Sequence, residues 1–160
     1  MNHLLDALSE ADSAFLQPNL EEVELAPRQL IESADKEIEQ VYFIEAGIAA
    51  VLTASGKEHI ALGLIGCQGA SGIALFLGDT RSLHSTEMLT DGRGARIQAR
   101  RLREAMEKRP ELRRLLLRFS LAFYCQAAHT ALSNASSTIE QRVARWILMT
   151  NTVSPGTTFR

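Results

Sequence analysis

The chain has 160 residues, 46% of them apolar and 22% charged, with a formal net charge of −2 at pH 7; this is enough apolar content for one packed domain, or one domain plus part of another, and it excludes a disordered chain. Apolar runs such as Ala70 to Leu77 fall far short of the roughly 18 residues a membrane span needs, and the acidic N-terminus is unlike a secretion signal, so cytoplasm is the expected compartment and no membrane partner is expected. Cys67 and Cys125 stand far apart, so both thiols are expected to be reduced and no disulfide framework is present.

Leu4 to Leu16 carries apolar residues around a Ser9-Glu10-Ala11-Asp12 break, which predicts two short helices ending at Pro18. From Glu22 the period shortens to that of strands: Val23 and Leu25, Leu30 and Ile31, then Val41 to Ala46, with Pro27 and Ala34-Asp35 as punctuation. Ile48, Ala50 and Leu52 alternate up to a Ser55-Gly56 turn, and His59 to Leu64 returns as the partner strand of a hairpin. A glycine-rich stretch, Gly63 to Gly78, is followed by short strands over Leu83–Leu89 and Ala95–Ile97 and by a helix over Ala99–Lys108. Many short strands, helices at both ends and no βαβ alternation predict a mainly β fold with flanking helices, a small jelly-roll β-barrel.

The segment from Pro110 to Leu132 holds no Gly or Pro after its first residue and predicts one long helix. It carries two apolar stripes, Leu112, Leu116, Phe119, Phe123 and Ala127 on one side and Leu117, Leu121, Ala128 and Leu132 on the other. One stripe is expected to cover the chain's own β-domain and the other to meet a second copy in a homodimer. The first is the candidate seam, although spacing does not decide which stripe does which, and burial of both within a monomer is the alternative. Ser133 to Ser137 reads as a break, and Thr138 to Met149 as an amphipathic helix with Ile139, Val143, Trp146 and Ile147 on one side, ended by Val153-Ser154-Pro155-Gly156. Arginines and Lys108 crowd residues 93 to 118, whereas acids dominate residues 1 to 60; at three- and four-residue spacing the basic run reads first as a solvated, ion-pairing helix face.

Two motifs, Val41-Tyr42-Phe43-Ile44-Glu45-Ala46-Gly47-Ile48-Ala49-Ala50-Val51 and Ile139-Glu140-Gln141-Arg142-Val143-Ala144-Arg145-Trp146-Ile147-Leu148, together with the order of elements, resemble the Crp/Fnr family of bacterial transcription regulators. The resemblance implies a cyclic-nucleotide-binding-type effector β-roll with N-terminal helices over 1–108, a dimerisation helix over 109–134, and the start of a winged helix-turn-helix DNA-binding domain over 135–160. The family's recognition helix has no counterpart up to Arg160, so DNA is expected as a partner only through a further C-terminal domain.

In the family a short helix after a glycine offers backbone N–H groups to a cyclic phosphate, a glutamate takes the ribose hydroxyl, and an Arg-Ser or Arg-Ala pair closes on the phosphate. The corresponding stretch here runs from Gly66 to Ser82; Arg81-Ser82 is retained, and Gly72 or Ile73 stands in place of the glutamate. Losing that contact is expected to weaken a nucleotide by about 1–3 kcal/mol. Gly69, Ser71, Gly72, Arg81 and Ser82 are therefore candidate contacts to a small anion or nucleotide other than cyclic AMP, or else the barrel is filled by its own side chains.

No catalytic residue, cofactor or metal is expected. Cys125 and His129 are four apart on the long helix without a third ligand nearby, the spacing of His59, Cys67 and His84 does not require a haem, and Ser71 lacks a nucleophile elbow. The leading expectation is the ligand-sensing and dimerising portion of a Crp/Fnr-type regulator. The alternatives are a stand-alone small-anion or nucleotide-binding β-roll without a DNA role, and a dimerisation partner of a full-length regulator; reading the frame past Arg160 separates them.

Overall fold

The computed structural model describes residues 1–55 and 58–153. Helices α1 (His3–Asp6) and α2 (Glu10–Leu16) lead into strands β1 (Glu21–Leu25), β2 (Leu30–Glu32), β3 (Gln40–Ala46), β4 (Ala49–Ser55) and β5 (Glu58–Ile65). A single turn, α3 (Ile73–Phe76), precedes β6 (Ser85–Met88) and β7 (Gly92–Gln98), and α4 (Ala99–Lys108), α5 (Pro110–Ser136) and α6 (Ile139–Val153) follow. The turn expected at Gly56, the terminator from Ser154 to Gly156 and the Phe159-Arg160 end lie outside the described residues.

Polar side chains start the first two helices by accepting N–H groups that have no partner within the helix. Asn2 Oδ1 accepts from Leu4 N and Leu5 N at 3.0 and 3.2 Å, and Ser9 Oγ accepts from Asp12 N at 3.1 Å. Asn2 is fully buried because its amide also donates to Ile44 O (2.7 Å) and Gly69 O (2.8 Å), pinning α1 to β3 and to the glycine-rich segment.

The strands make two antiparallel sheets, ordered β1-β7-β3 and β2-β6-β4-β5. Leu25, Ile44, Val51, Ile65 and Met88 fill the space between them, with Phe123 of α5 closing one side. A second cluster joins Val41 and Phe43 of β3 to Leu16, Phe76, Leu102, Leu112 and Leu116, so the helices cover the end of the roll.

Arg109, at the junction of α4 and α5, ties this helical cover together. Its Nε lies 2.8 Å from Asp12 Oδ1 as an ion pair without an aligned hydrogen bond, its guanidinium stands 5.5 Å from the centre of the Phe15 ring, and Nη2 donates to Ala11 O. Asp12 is buried and its other oxygen accepts from Ser9 Oγ at 2.8 Å. Asp12→Ala should therefore lower unfolding stability by about 1.5–3 kcal/mol, the range for a hydrogen bond to a charged group, read as a shift of the urea midpoint at constant slope.

The structure corrects the assignment of the α5 stripes. Leu112 and Leu116 are each 1% exposed, Phe123 is buried, and Phe119 packs edge to face on Phe76 with ring centroids 6.3 Å apart. The stripe read as the candidate seam thus covers the chain's own roll, because its leucines and phenylalanines are the groups large enough to close the sheet's open side. Ala127, half-buried, belongs to the same inward side. The other stripe faces outward: Leu121 is 63% exposed, Tyr124 69% and Leu132 62%, with Leu117 and Ala128 also exposed.

Two further boundaries differ from the sequence reading. Helix α5 continues through Ser133–Ser136, since none of these residues breaks a helix and Ser136 Oγ bonds back to Leu132 O at 2.8 Å. The break falls at Ser137, and Thr138 and Gln141 then form a reciprocal capping box, N to Oε1 at 3.0 Å and N to Oγ1 at 3.4 Å. Helix α6 turns back on the roll, with Trp146 and Met149 packing near Ile48, Ala50 and Leu64. Of the side read as apolar, Trp146 meets the roll, and Ile139, Val143 and Ile147 are exposed.

The basic run is paired locally: Arg100 and Arg101 with Glu104, Arg114 with Glu111, and Arg96 across the sheet with Glu21 at 2.7 Å. The two hydrogen bonds that Arg96 donates to the Glu21 carboxylate hold its guanidinium pKa above the ordinary value.

Candidate ligand-binding site

The glycine-rich segment reaches the inside of the roll because Ser71 replaces a strand partner for β3. Ser71 N donates to Tyr42 O at 2.9 Å and Tyr42 N donates to Ser71 Oγ at 3.0 Å. Gly72 follows with φ +81°, and a side chain there would meet Val41 at 2.7 Å, so both the left-handed backbone and the close approach require glycine. Helix α3 begins directly afterwards, turning the Gly72 N–H toward the interior.

That N–H is taken by this chain's own carboxylate. Gly72 N donates to Glu32 Oε2 at 2.8 Å, Ser82 Oγ donates to Glu32 Oε1, and Thr86 Oγ1 lies 3.4 Å from Oε2. Glu32 ends β2, whose pairing with β6 shifts register between Leu30 and Glu32. The bulge turns Glu32 inward, although strict alternation after buried Ile31 would send it out.

Beside Glu32 lies a cavity of about 190 Å³. Its walls are mainly apolar, from Val51, Leu62, Ile65, Ile73 and Phe123, and its far side is α5, through Ser120, Phe123, Tyr124 and Ala127. His84 also lines it, with Nδ1 buried and without a hydrogen-bond partner among the described residues. Gln126, one turn from Phe123 on α5, accepts from Leu64 N of β5 at 2.6 Å and holds the helix over Gly63.

Of the candidate ligand contacts, Ser71, Gly72 and Ser82 line this cavity. Gly69 lies behind it, under the ring of Phe119. Arg81 does not line the cavity: its guanidinium donates to Asp35 O, and Arg81 lines a neighbouring groove with Lys36 and Glu37, to which Glu32 also contributes. Cys125 and His129 are exposed on α5. The sequence reading missed Glu32, Thr86 and Ser120 in this site, and placed Phe123 and Ala127 on a different surface. An acid ending a three-residue apolar strand was the one signal available for Glu32.

The fold that frames this cavity, an antiparallel roll followed by a long helix, matches solved structures at low identity. A transcriptional regulator assigned to the Crp/Fnr family from Eubacterium rectale aligns with a TM-score of 0.77 at 12% identity, over 94% of this chain and 71% of that one. The c-di-GMP-responsive regulator CLP of Xanthomonas campestris aligns with a TM-score of 0.73 at 13% identity, over 95% and 76%. The chain has the jelly-roll fold followed by a long helix that these regulators share. The N-terminal domain of a transcriptional regulator from Streptomyces coelicolor shares it at 21% identity and a TM-score of 0.57, over 82% of this chain and 92% of that domain. No protein-family model and no curated protein matches the sequence. No described helix is long and apolar enough to cross a membrane.

Proposed function

We propose that the chain is the ligand-sensing and dimerising portion of a Crp/Fnr-type transcription regulator whose effector is not cyclic AMP. The observation that carries this reading is the shared wall of the cavity. The cassette side chains Ser71 and Ser82 line one side and Phe123 and Tyr124 of α5 the other, so an occupant touches both the roll and the helix whose opposite face is apolar and exposed.

In this reading two copies pair through Leu117, Leu121, Tyr124, Ala128 and Leu132, which recur at alternating four- and three-residue steps until the last. The dimer then positions a DNA-binding domain that residues 135–160 begin. The dinucleotide to which CLP responds is an anion, and here Gly72 N and Ser82 Oγ already donate to Glu32, so that ligand is not carried over.

The test is a fusion of residues 1–137 to a DNA-binding domain that represses a reporter only as a dimer. Repression is expected, and its strength should change when the cavity is filled. A soluble, folded fusion that does not repress would contradict the dimerising role.

A further inference from the structure

We infer that the cavity beside Glu32 is a binding site for a compact, largely apolar molecule that is neutral or cationic, and that Glu32 sets this charge preference. The inference rests on reading the roll as a sensing domain and adds the chemical class of what it senses.

An incoming anion needs donors or a cation, and the site offers neither freely. The Gly72 N–H and the Ser82 hydroxyl are committed to Glu32, with Thr86 in reach of the same carboxylate. No Lys or Arg lines the cavity among the described residues, and Arg81 is held outside by Asp35 O. A phosphate or carboxylate entering here meets a carboxylate at close range. Two like charges about 4 Å apart in a partly desolvated site disfavour binding on the order of a hundredfold or more.

A neutral or cationic molecule meets a different surface. Glu32 accepts hydrogen bonds in a site with apolar walls, where an amine or hydroxyl donor gains most. His84 adds a second polar point, since its Nδ1 is buried without a partner. The volume sets the size: a cavity of about 150 Å³ lined by Leu, Ile and Phe admits a benzene ring, and about 190 Å³ here leaves room for a ring with a short polar arm.

The test compares probes of one shape and three charges, benzylamine, benzyl alcohol and benzoate, with cyclic AMP as the fourth, by amide NMR and titration on the whole chain. Benzylamine and benzyl alcohol should move the Gly72 and Ser82 amide signals with a Kd on the order of 1 mM or tighter. Benzoate should bind at least about tenfold more weakly than benzylamine. Glu32→Gln, which keeps the acceptor and removes the charge, should erase that difference. Leu62→Trp, which fills the cavity and leaves Glu32 in place, should abolish binding of both favoured probes.

Benzoate or cyclic AMP bound by the unmodified chain as tightly as benzylamine overturns the proposal and leaves the sensing role standing. An unchanged preference in folded Glu32→Gln, or pocket amides that none of the probes moves, also overturns it. The failure of the sensing role reads out separately, as a repressor fusion that does not respond to a probe shown by NMR to bind.

Discussion

Leu116→Ala should lower unfolding stability by about 2–5 kcal/mol, the span for deleting a buried leucine and leaving its cavity. Leu116 is 1% exposed and packs in the cluster that joins α1, α2, β3, α3, β7, α4 and α5. A cluster drawn from so many elements cannot collapse into the space without shifting a strand or a helix, which places the loss toward the upper end. Thermal and urea unfolding read the change. The mass of the folded protein should stay that of the unmodified chain, because the residue faces inward. A loss below about 1 kcal/mol would show that this stripe of α5 does not close the roll.

Leu121→Asp should do the reverse, abolishing self-association while leaving the fold intact. Leu121 is 63% exposed and lies between Leu117 and Tyr124 on the outward stripe. In a single copy an aspartate there is solvated and harmless. In a seam it is a carboxylate buried without a partner, with a penalty of about 3–5 kcal/mol for each one stranded. At 1.4 kcal/mol per factor of ten this weakens association by about a hundredfold or more. Sedimentation velocity should show a monomer with unchanged circular dichroism. A variant that sediments as the unmodified protein would move the seam away from this stripe.

These two substitutions also mark what the sequence could and could not reveal. The strands were legible because alternation of apolar residues and turn punctuation are local signals, as in Val41 to Ala46 and the hairpin from Ala49 to Ile65. That α5 is one long helix was legible from the absence of breakers after Pro110, although its end lies four residues beyond Leu132. The direction of each stripe was not, since both are apolar and only the roll's open side decides which one it buries. The same holds for α6, where Trp146 turned inward and Ile139, Val143 and Ile147 did not.

In the candidate site, Ser71, Gly72 and Ser82 could be named only through the family resemblance, and all three line the cavity. Glu32 could not, because a register shift in a three-residue strand has no periodic signature, yet it holds the donors expected to receive an anion. Arg81 fitted the family pattern in sequence, but its side chain bonds to Asp35 O outside the cavity.

The dimerising sensor reading is tested most directly by light scattering of the unmodified protein across the micromolar range, roughly 1–50 μM, where a modest interface still associates. One chain weighs 17.6 kDa. A particle of twice that mass, falling toward the single-chain value only on dilution, is the expected result. A mass of 17.6 kDa throughout would contradict it and leave the outward stripe of α5 without a second copy to meet.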